Sequence, residues 1–220
     1  MKQLLKDTLI LFLITLISGL ALGAIYALTK GPIQKQEERK KNDAYRAVFE
    51  DAFTFVEDED FDTEAASEIL ASETEFDYSQ TQIDMLTEAL DEDERLLGYV
   101  ITVTTHEGYG GDITFSMGIR LDGTINGISI TSISETPGLG MRASEVLVPQ
   151  FAQKSANAQF TVTKTGAAYP SEIDAISSAT ITSNALTNGV NAGIAYFRAI
   201  APEQDSAPHA ATLAEGGGWQ

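Results

Sequence analysis

From Thr8 to Thr29 the chain carries no charged side chain, and Leu9, Ile10, Leu11, Phe12, Leu13, Ile14, Leu16, Ile17, Leu20 and Leu22 make the run strongly apolar. A helix rises about 1.5 Å per residue, so a run of this length can cross a hydrocarbon core of roughly 30 Å. The alternative is a cleaved signal peptide, since Lys2 and Lys6 precede the run and Ala21-Leu22-Gly23-Ala24 offers small residues. Signal peptides have apolar regions of about 7–15 residues; this longer run favours a retained anchor. Orientation is contested by the charges. Lys30, Lys35, Arg39, Lys40 and Lys41 follow the run, which by the positive-inside rule holds what comes next in the cytoplasm, although long domains cross regardless of loop charge.

The balance of the chain is acidic: 14 basic against 32 acidic side chains in 220 residues, a formal charge of -18. Nucleic acid and anionic headgroups are poor partners for such a surface. Cysteine is absent, which excludes disulfides, thiolate-ligated iron-sulfur clusters and cysteine-type zinc sites within this chain. Redox chemistry here would need a cofactor.

Four regions are expected: residues 1–31 as cytoplasmic end and anchor, 32–95 as a connecting helix and acidic region, 96–200 as a folded domain, and 201–220 as a disordered tail rich in Ser, Ala, Pro and Gly. Pro32 marks the exit from the membrane, and the stripe of Ala44, Val48 and Ala52 predicts a helix over Gln34–Phe53. Between Glu50 and Glu94 there are 18 acidic residues and no Lys or Arg. Asp58, Asp60 and Asp62 alternate like the start of a calcium loop, but Thr63 and Ile69 stand where that loop needs Gly and Glu. A solvated acidic surface is the expectation.

Beyond Leu96 the pattern has period two: Tyr99, Ile101, Val103; Ile113, Phe115, Met117; then Ile125, Ile128, Ile130, with an Asp122-Gly123 hairpin turn between the last two groups. A short helix over Ser144–Gln153, a strand over Phe160–Thr165 and a final helix over Asn184–Ile200 complete an α+β fold, an antiparallel sheet with packed helices. Gly189 and Gly193 on the last helix predict close packing. Two glycine-rich loops, Gly108-Tyr109-Gly110-Gly111 and Glu135-Thr136-Pro137-Gly138-Leu139-Gly140, follow strands; they either make turns or let a planar ligand approach the backbone.

Asp174-Ala-Ile-Ser-Ser-Ala-Thr-Ile-Thr-Ser183 leads into the final helix. Small and hydroxyl residues before unpaired helix amides make either an ordinary Ser/Thr cap or an anion site. A hydroxyl held there could bond to a phosphate or be esterified by one.

These two loops and this stretch, in this order behind one N-terminal anchor, resemble the G subunit of the Rnf ion-translocating ferredoxin:NAD oxidoreductase complex. The C subunit of the sodium-translocating NADH:quinone reductase shares the same FMN-binding domain and is the nearest alternative. The resemblance covers about Leu96–Ile200. It implies an FMN joined through its phosphate to a threonine hydroxyl by a separate flavin transferase that reads Asp-x-x-Ser/Thr-Gly-Ala-Thr. On that pattern Asp174 fills the first position, Ser177 the hydroxyl position, Ala179 the alanine and Thr180 the acceptor; Ser178 stands in place of glycine. Ser177, Ser178 and Thr182 are expected phosphate or flavin contacts, and Tyr109, Glu135, Thr136, Gly138 and Leu139 expected walls. Arg142 is a candidate to stabilise negative charge on a reduced flavin. The implied role is an electron carrier among other Rnf subunits, its domain extracytoplasmic, neither pump nor dehydrogenase by itself. A surface-anchored binding domain and a flavin-bearing sensor are the rivals from other classes.

Overall fold

A computed structural model describes residues 1–73 and 75–201 of the chain; the expected tail falls almost wholly outside them. Helix α1 runs unbroken over Lys2–Val48 with Pro32 inside it, where the sequence pattern predicts an anchor and a second helix ending at Phe53. Proline removes one backbone donor and crowds one earlier carbonyl. That local cost does not end the helix, because packing holds its far end: Ala44, Tyr45 and Val48 are buried. Its first part, lying within the chain's one helix long and apolar enough to cross a membrane among the described residues, leaves side chains from Leu9 to Leu28 exposed.

Strands β1 (Thr54–Glu57), β2 (Thr81–Leu90), β3 (Leu96–Thr105), β4 (Ile113–Arg120) and β5 (Ile125–Ile133) form one antiparallel sheet in chain order. The hairpin turn at Asp122-Gly123 is as the sequence predicts, with Gly123 at φ 78°. The odd spacing of Ile125 and Ile128 has a local cause. Gly118 pairs with Gly127 and Ile119 with Ile125, so Asn126 is bulged out, and its side chain bonds instead to Arg120 Nε and to the carbonyl of Val48.

The acidic segment does more than coat the surface. It contributes β1, β2 and helix α2 (Thr63–Ser72), and β2 pairs with β3 from Thr81↔Thr105 to Leu90↔Leu96. The sheet is therefore continuous across Leu96, where the sequence texture changes. None of the segment's carboxylates is buried, while Ala66, Leu70, Tyr78, Ile83 and Ala89 are. The alternating aspartates serve local structure: Asp58 accepts from the amide of Asp60, and Asp62 caps α2 by accepting from the amides of Glu64 and Ala65.

Each sheet face is closed by a different helix. Helix α4 (Thr180–Ile200) covers one, pressing Gly189 onto Phe115 and Gly193 onto Met117 and Val103, so the paired glycines serve close helix–sheet packing. The end of α1 covers the other, where Tyr45, Val48, Phe49, Ala52, Ala89 and Val100 make a separate apolar cluster. Phe49 lies on a floor of glycine: a Cβ added to Gly98 or Gly118 would stand 2.9 Å from its ring. Between β5 and α4 the chain makes a 3-10 turn at Gly140–Arg142, helix α3 (Ala143–Val146), a second 3-10 turn at Val148–Gln150, and the parallel pair β6 (Thr161–Thr163) and β7 (Glu172–Asp174). The helix expected over Ser144–Gln153 is thus broken into short turns, consistent with Pro149 inside it.

Burial raises the phenols of Tyr78, Tyr99 and Tyr196 above their ordinary value of 10.0. An acid whose folded pKa is raised binds its proton more tightly in the native state, so its contribution is complete below pH 10 and is lost as pH rises through the folded values. Thermal stability should accordingly fall above pH 10, and Tyr196→Phe should flatten the fall. An alkaline limb unchanged by Phe at all three positions would remove the tyrosines as its cause.

Candidate functional site

Helix α4 begins at Thr180, four residues before the expected start at Asn184, because Ser183 closes the first turn. Its Oγ accepts from the amide of Ile176 and donates to the carbonyl of Ala179, and its amide reaches the same carbonyl. Thr180 is thereby the first helical residue and not part of the preceding loop. Ala179 occupies the N-cap, and no side chain caps the helix. The first-turn amides thus have no partner from a capping hydroxyl, although Ser177 and Ser178 are adjacent.

The two glycine loops close around this helix end. Gly108 and Gly110 have backbone against Gly111 and Ser134 where a Cβ would go, and the amide of Gly110 donates to Glu135 Oε1 at 3.2 Å. Pro137-Gly138 is a turn with Gly138 at φ 77° and the amide of Leu139 donating to the carbonyl of Thr136. Gly140 lies between Glu135 and Thr182: a Cβ there would stand 2.6 Å from Thr182 Oγ1 and 2.8 Å from Glu135 Oε2. These glycines mainly let the protein approach itself, which seats three distant segments at one end of the sheet.

The result is a cleft of about 600 Å³ lined by Tyr109, Glu135, Thr136, Leu139, Gly140, Ser178, Ala179, Thr180, Ile181 and Thr182. Here the uncapped helix end and the apolar walls coincide. Eight of the residues that the sequence points to line it. Four others do not. Ser177 is exposed beside it; Gly138 shapes the turn; Asp174 sits on β7, accepting from the amide of Ala167 at 2.6 Å and pairing its backbone with the Gln150 amide group; Arg142 is exposed at the end of the 3-10 turn. Gly140, quoted in its loop but not singled out as a wall, and Ile181 join the lining. Ile181 is 53% exposed, and a lone apolar residue at a helix start gives no pattern to read.

Ser178, the residue in the glycine position, has φ 65°. The left-handed region costs a non-glycine residue about 1–2 kcal/mol, and glycine would return about 0.4–1 kcal/mol of that through its freer unfolded chain. Ser178→Gly should stabilise modestly and speed cofactor loading. Ser178→Val, β-branched in the same conformation, should do the opposite in both thermal melts and loading time courses.

The chemistry of the lining suits FMN: hydroxyls and uncapped amides at one end for a phosphate, Tyr109, Leu139 and Ile181 for the faces of a flat ring. Fold and site define an FMN-binding domain, and the family of that description matches residues 108–195. Over 200 residues the chain is 32% identical to the G subunit of the Na(+)-translocating ferredoxin:NAD(+) oxidoreductase complex of Acetobacterium woodii, covering 90% of this chain and 93% of that protein. It is 30% identical to the proton-translocating counterpart of Clostridium ljungdahlii over 81% of this chain and 83% of that one. The G subunit of the ion-translocating oxidoreductase complex of Methanosarcina acetivorans matches at 25% over 90% and 96%. The chain belongs to the G-subunit family of Rnf complexes.

Proposed function

We propose that this chain is the electron-carrying G subunit of a membrane Rnf complex, holding FMN as a phosphoester on Thr180 Oγ1. The observation that carries this reading is the meeting of the three loops around a threonine at the uncapped start of a helix. The helix end favours a phosphate by about 0.3–1 kcal/mol when exposed and more when partly buried. Such a gain is too small to retain a free flavin in a dilute compartment, whereas an ester bond retains it at any concentration. When bound, FMN supplies the electron-accepting ring; the protein's part is to fix the phosphate, enclose the ring and exclude solvent from one side.

A flavin transferase installs the group, and other Rnf subunits donate and receive the electrons. Ion movement lies in those partners: relatives of this subunit carry names specifying sodium and protons alike, which supports a role separate from the choice of ion. The long apolar helix anchors the domain on the extracytoplasmic side. Protease applied outside intact cells should then degrade the chain beyond Pro32, and protection would reverse the orientation.

The test of the cofactor reading is the intact mass of protein produced together with its transferase. The expected gain is one FMN less one water, surviving denaturation. A chain that stays unmodified under those conditions ends the proposal.

A further inference from the structure

Charge is unevenly placed along this chain. Against a balance of -18 overall, the stretch from Lys30 to Lys41 that follows the apolar run holds five basic side chains and two acidic ones. Helix α1 sorts them by face. Lys41 pairs with Glu57 of β1 at 2.6 Å, and Glu37 and Glu38 line a shallow groove with Gln34 and Lys41 on that side. A separate groove is lined by Gly31, Pro32, Lys35, Gln36 and Arg39 and holds no carboxylate. Gly31, Lys35 and Arg39 recur every fourth residue, so they form one stripe. At about 100° of turn per residue this stripe points away from Tyr45 and Val48, which bury themselves in the domain. Lys30, Lys35 and Arg39 are exposed and make no ion pair among the described residues. Gly31 has open space where a side chain would stand, so the end of the groove nearest the apolar run is open.

We infer that this groove binds the phosphate of an anionic membrane lipid, with Lys35 and Arg39 as its cationic partners. With the apolar run in a bilayer, Lys35 stands about 7 Å and Arg39 about 13 Å along the helix beyond Lys30. The polar layer on each side of the hydrocarbon core is roughly 5–7 Å deep. Side chains on a helix lean towards its N-terminus, which here is the direction of the lipid, so both cations reach back to the level of the phosphates. The arginine fork takes two phosphate oxygens at once, and the lysine adds a point charge. Carboxylates of the domain farther off than the screening length of about 8 Å at physiological salt contribute little, so the neighbouring cations decide the sign of the attraction. A bilayer presents phosphates at the height of the groove at a density that no dissolved phosphate matches, which makes the lipid the occupant. The inference needs only the apolar run to lie in a bilayer. It is independent of the flavin and of the side on which the domain stands, and it gives the basic residues that oppose an extracytoplasmic domain under the positive-inside rule a use on that side.

Native mass spectrometry of the full-length protein, in detergent micelles carrying phosphatidylglycerol or phosphatidylcholine of the same acyl chains, tests this. The wild type should retain phosphatidylglycerol in preference. Lys35→Gln combined with Arg39→Gln should reduce that preference about fivefold or more, the share of at least one basic residue near a charged surface. Glutamine is a good helix former, so the melting temperature should not move. Lys2→Gln combined with Lys6→Gln removes the same charge at the other end of the run and should cost less of the preference. A wild type with no preference overturns the inference, as does a loss in K35Q/R39Q no greater than in K2Q/K6Q, which would reduce the effect to diffuse attraction. Should the double variant fail to express, K35Q and R39Q taken singly carry the same comparison. Inorganic phosphate should displace the lipid no better than chloride at matched ionic strength; displacement beyond chloride would make this a site for free phosphate and overturn the lipid assignment.

Discussion

Thr180→Val should fold as the native chain does and carry no covalent FMN. Valine keeps the β-branched shape and loses only the hydroxyl. Thr180 is half-buried and its side chain makes no hydrogen bond to another described residue's side chain or backbone that the fold relies on, so the stability change should stay within about 0.5 kcal/mol, as for an ordinary surface substitution. Loading, by contrast, is all or none, because a phosphoester requires an oxygen on the acceptor. Thr180→Ser should retain the adduct at a reduced rate, and Ser177→Ala, which removes the hydroxyl of the pattern the transferase reads, should slow loading while leaving the acceptor in place. Denaturing-gel fluorescence and intact mass report all three. An adduct still present on the valine variant would move the attachment point to another hydroxyl, with Ser177 and Ser178 the first to examine by peptide mapping.

Phe49→Ala should be the most damaging single truncation at the junction of anchor and domain. The ring is fully buried, packed on Gly98 and Gly118, with the Arg120 guanidinium 5.5 Å from its centroid. Removing a buried phenylalanine costs about 3–5 kcal/mol, which in a domain of this size lowers the melting temperature by on the order of 10 °C. The loss is specific to the sheet face away from the flavin cleft, so loading measured at low temperature should persist. Gly118→Val attacks the same joint from the opposite side, since its side chain would occupy the space of the ring and of the Val48 carbonyl. Asp51→Asn tests the periphery: it weakens the two contacts from Arg120 at 2.8 and 3.0 Å, an exposed ion pair worth at most about 1 kcal/mol. A Phe49→Ala variant that melts with the wild type would show that the anchor hangs loosely from the domain.

Much of this fold was readable because its signals were periodic. The alternation of Ile113, Phe115 and Met117 and the Asp122-Gly123 turn predict strands and a hairpin that the structure contains, and the Gly189 and Gly193 pair predicts close packing that is met on Phe115 and Met117. What escaped was decided by tertiary contact. Pro32 reads as a boundary, yet a helix held by Tyr45 and Val48 at its far end passes through it. The acidic stretch reads as surface because charge outnumbers its apolar residues, yet isolated ones such as Ile83 and Ala89 are enough to pack β2 into both cores, one on each face of the sheet. At the site, order along the chain brought together most of the residues that line the cleft. Local conformation was less visible: the start of α4 at Thr180 depends on the Ser183 side chain, and which of Arg142 and Glu135 lines the cleft depends on a 3-10 turn that no periodicity reports.

The path of α1 across the sheet has a consequence for where electrons can go. Its last turn lies on Gly118 and Gly127, while Glu37, Lys40 and Lys41 lie over a groove bordered by Thr131 and Ser132. Going back along the helix towards the bilayer thus follows β5 forward, from Gly127 through Ser132 to Glu135 and the flavin cleft. From Lys30 at the end of the apolar run to Lys41 is only about 16 Å of helix. With the apolar run in a bilayer, the cleft end of the sheet would be the end nearer the lipid surface, at a short standoff from it. Partner subunits held in a bilayer around that run would reach the cleft over a shorter distance than a carrier arriving from the aqueous side.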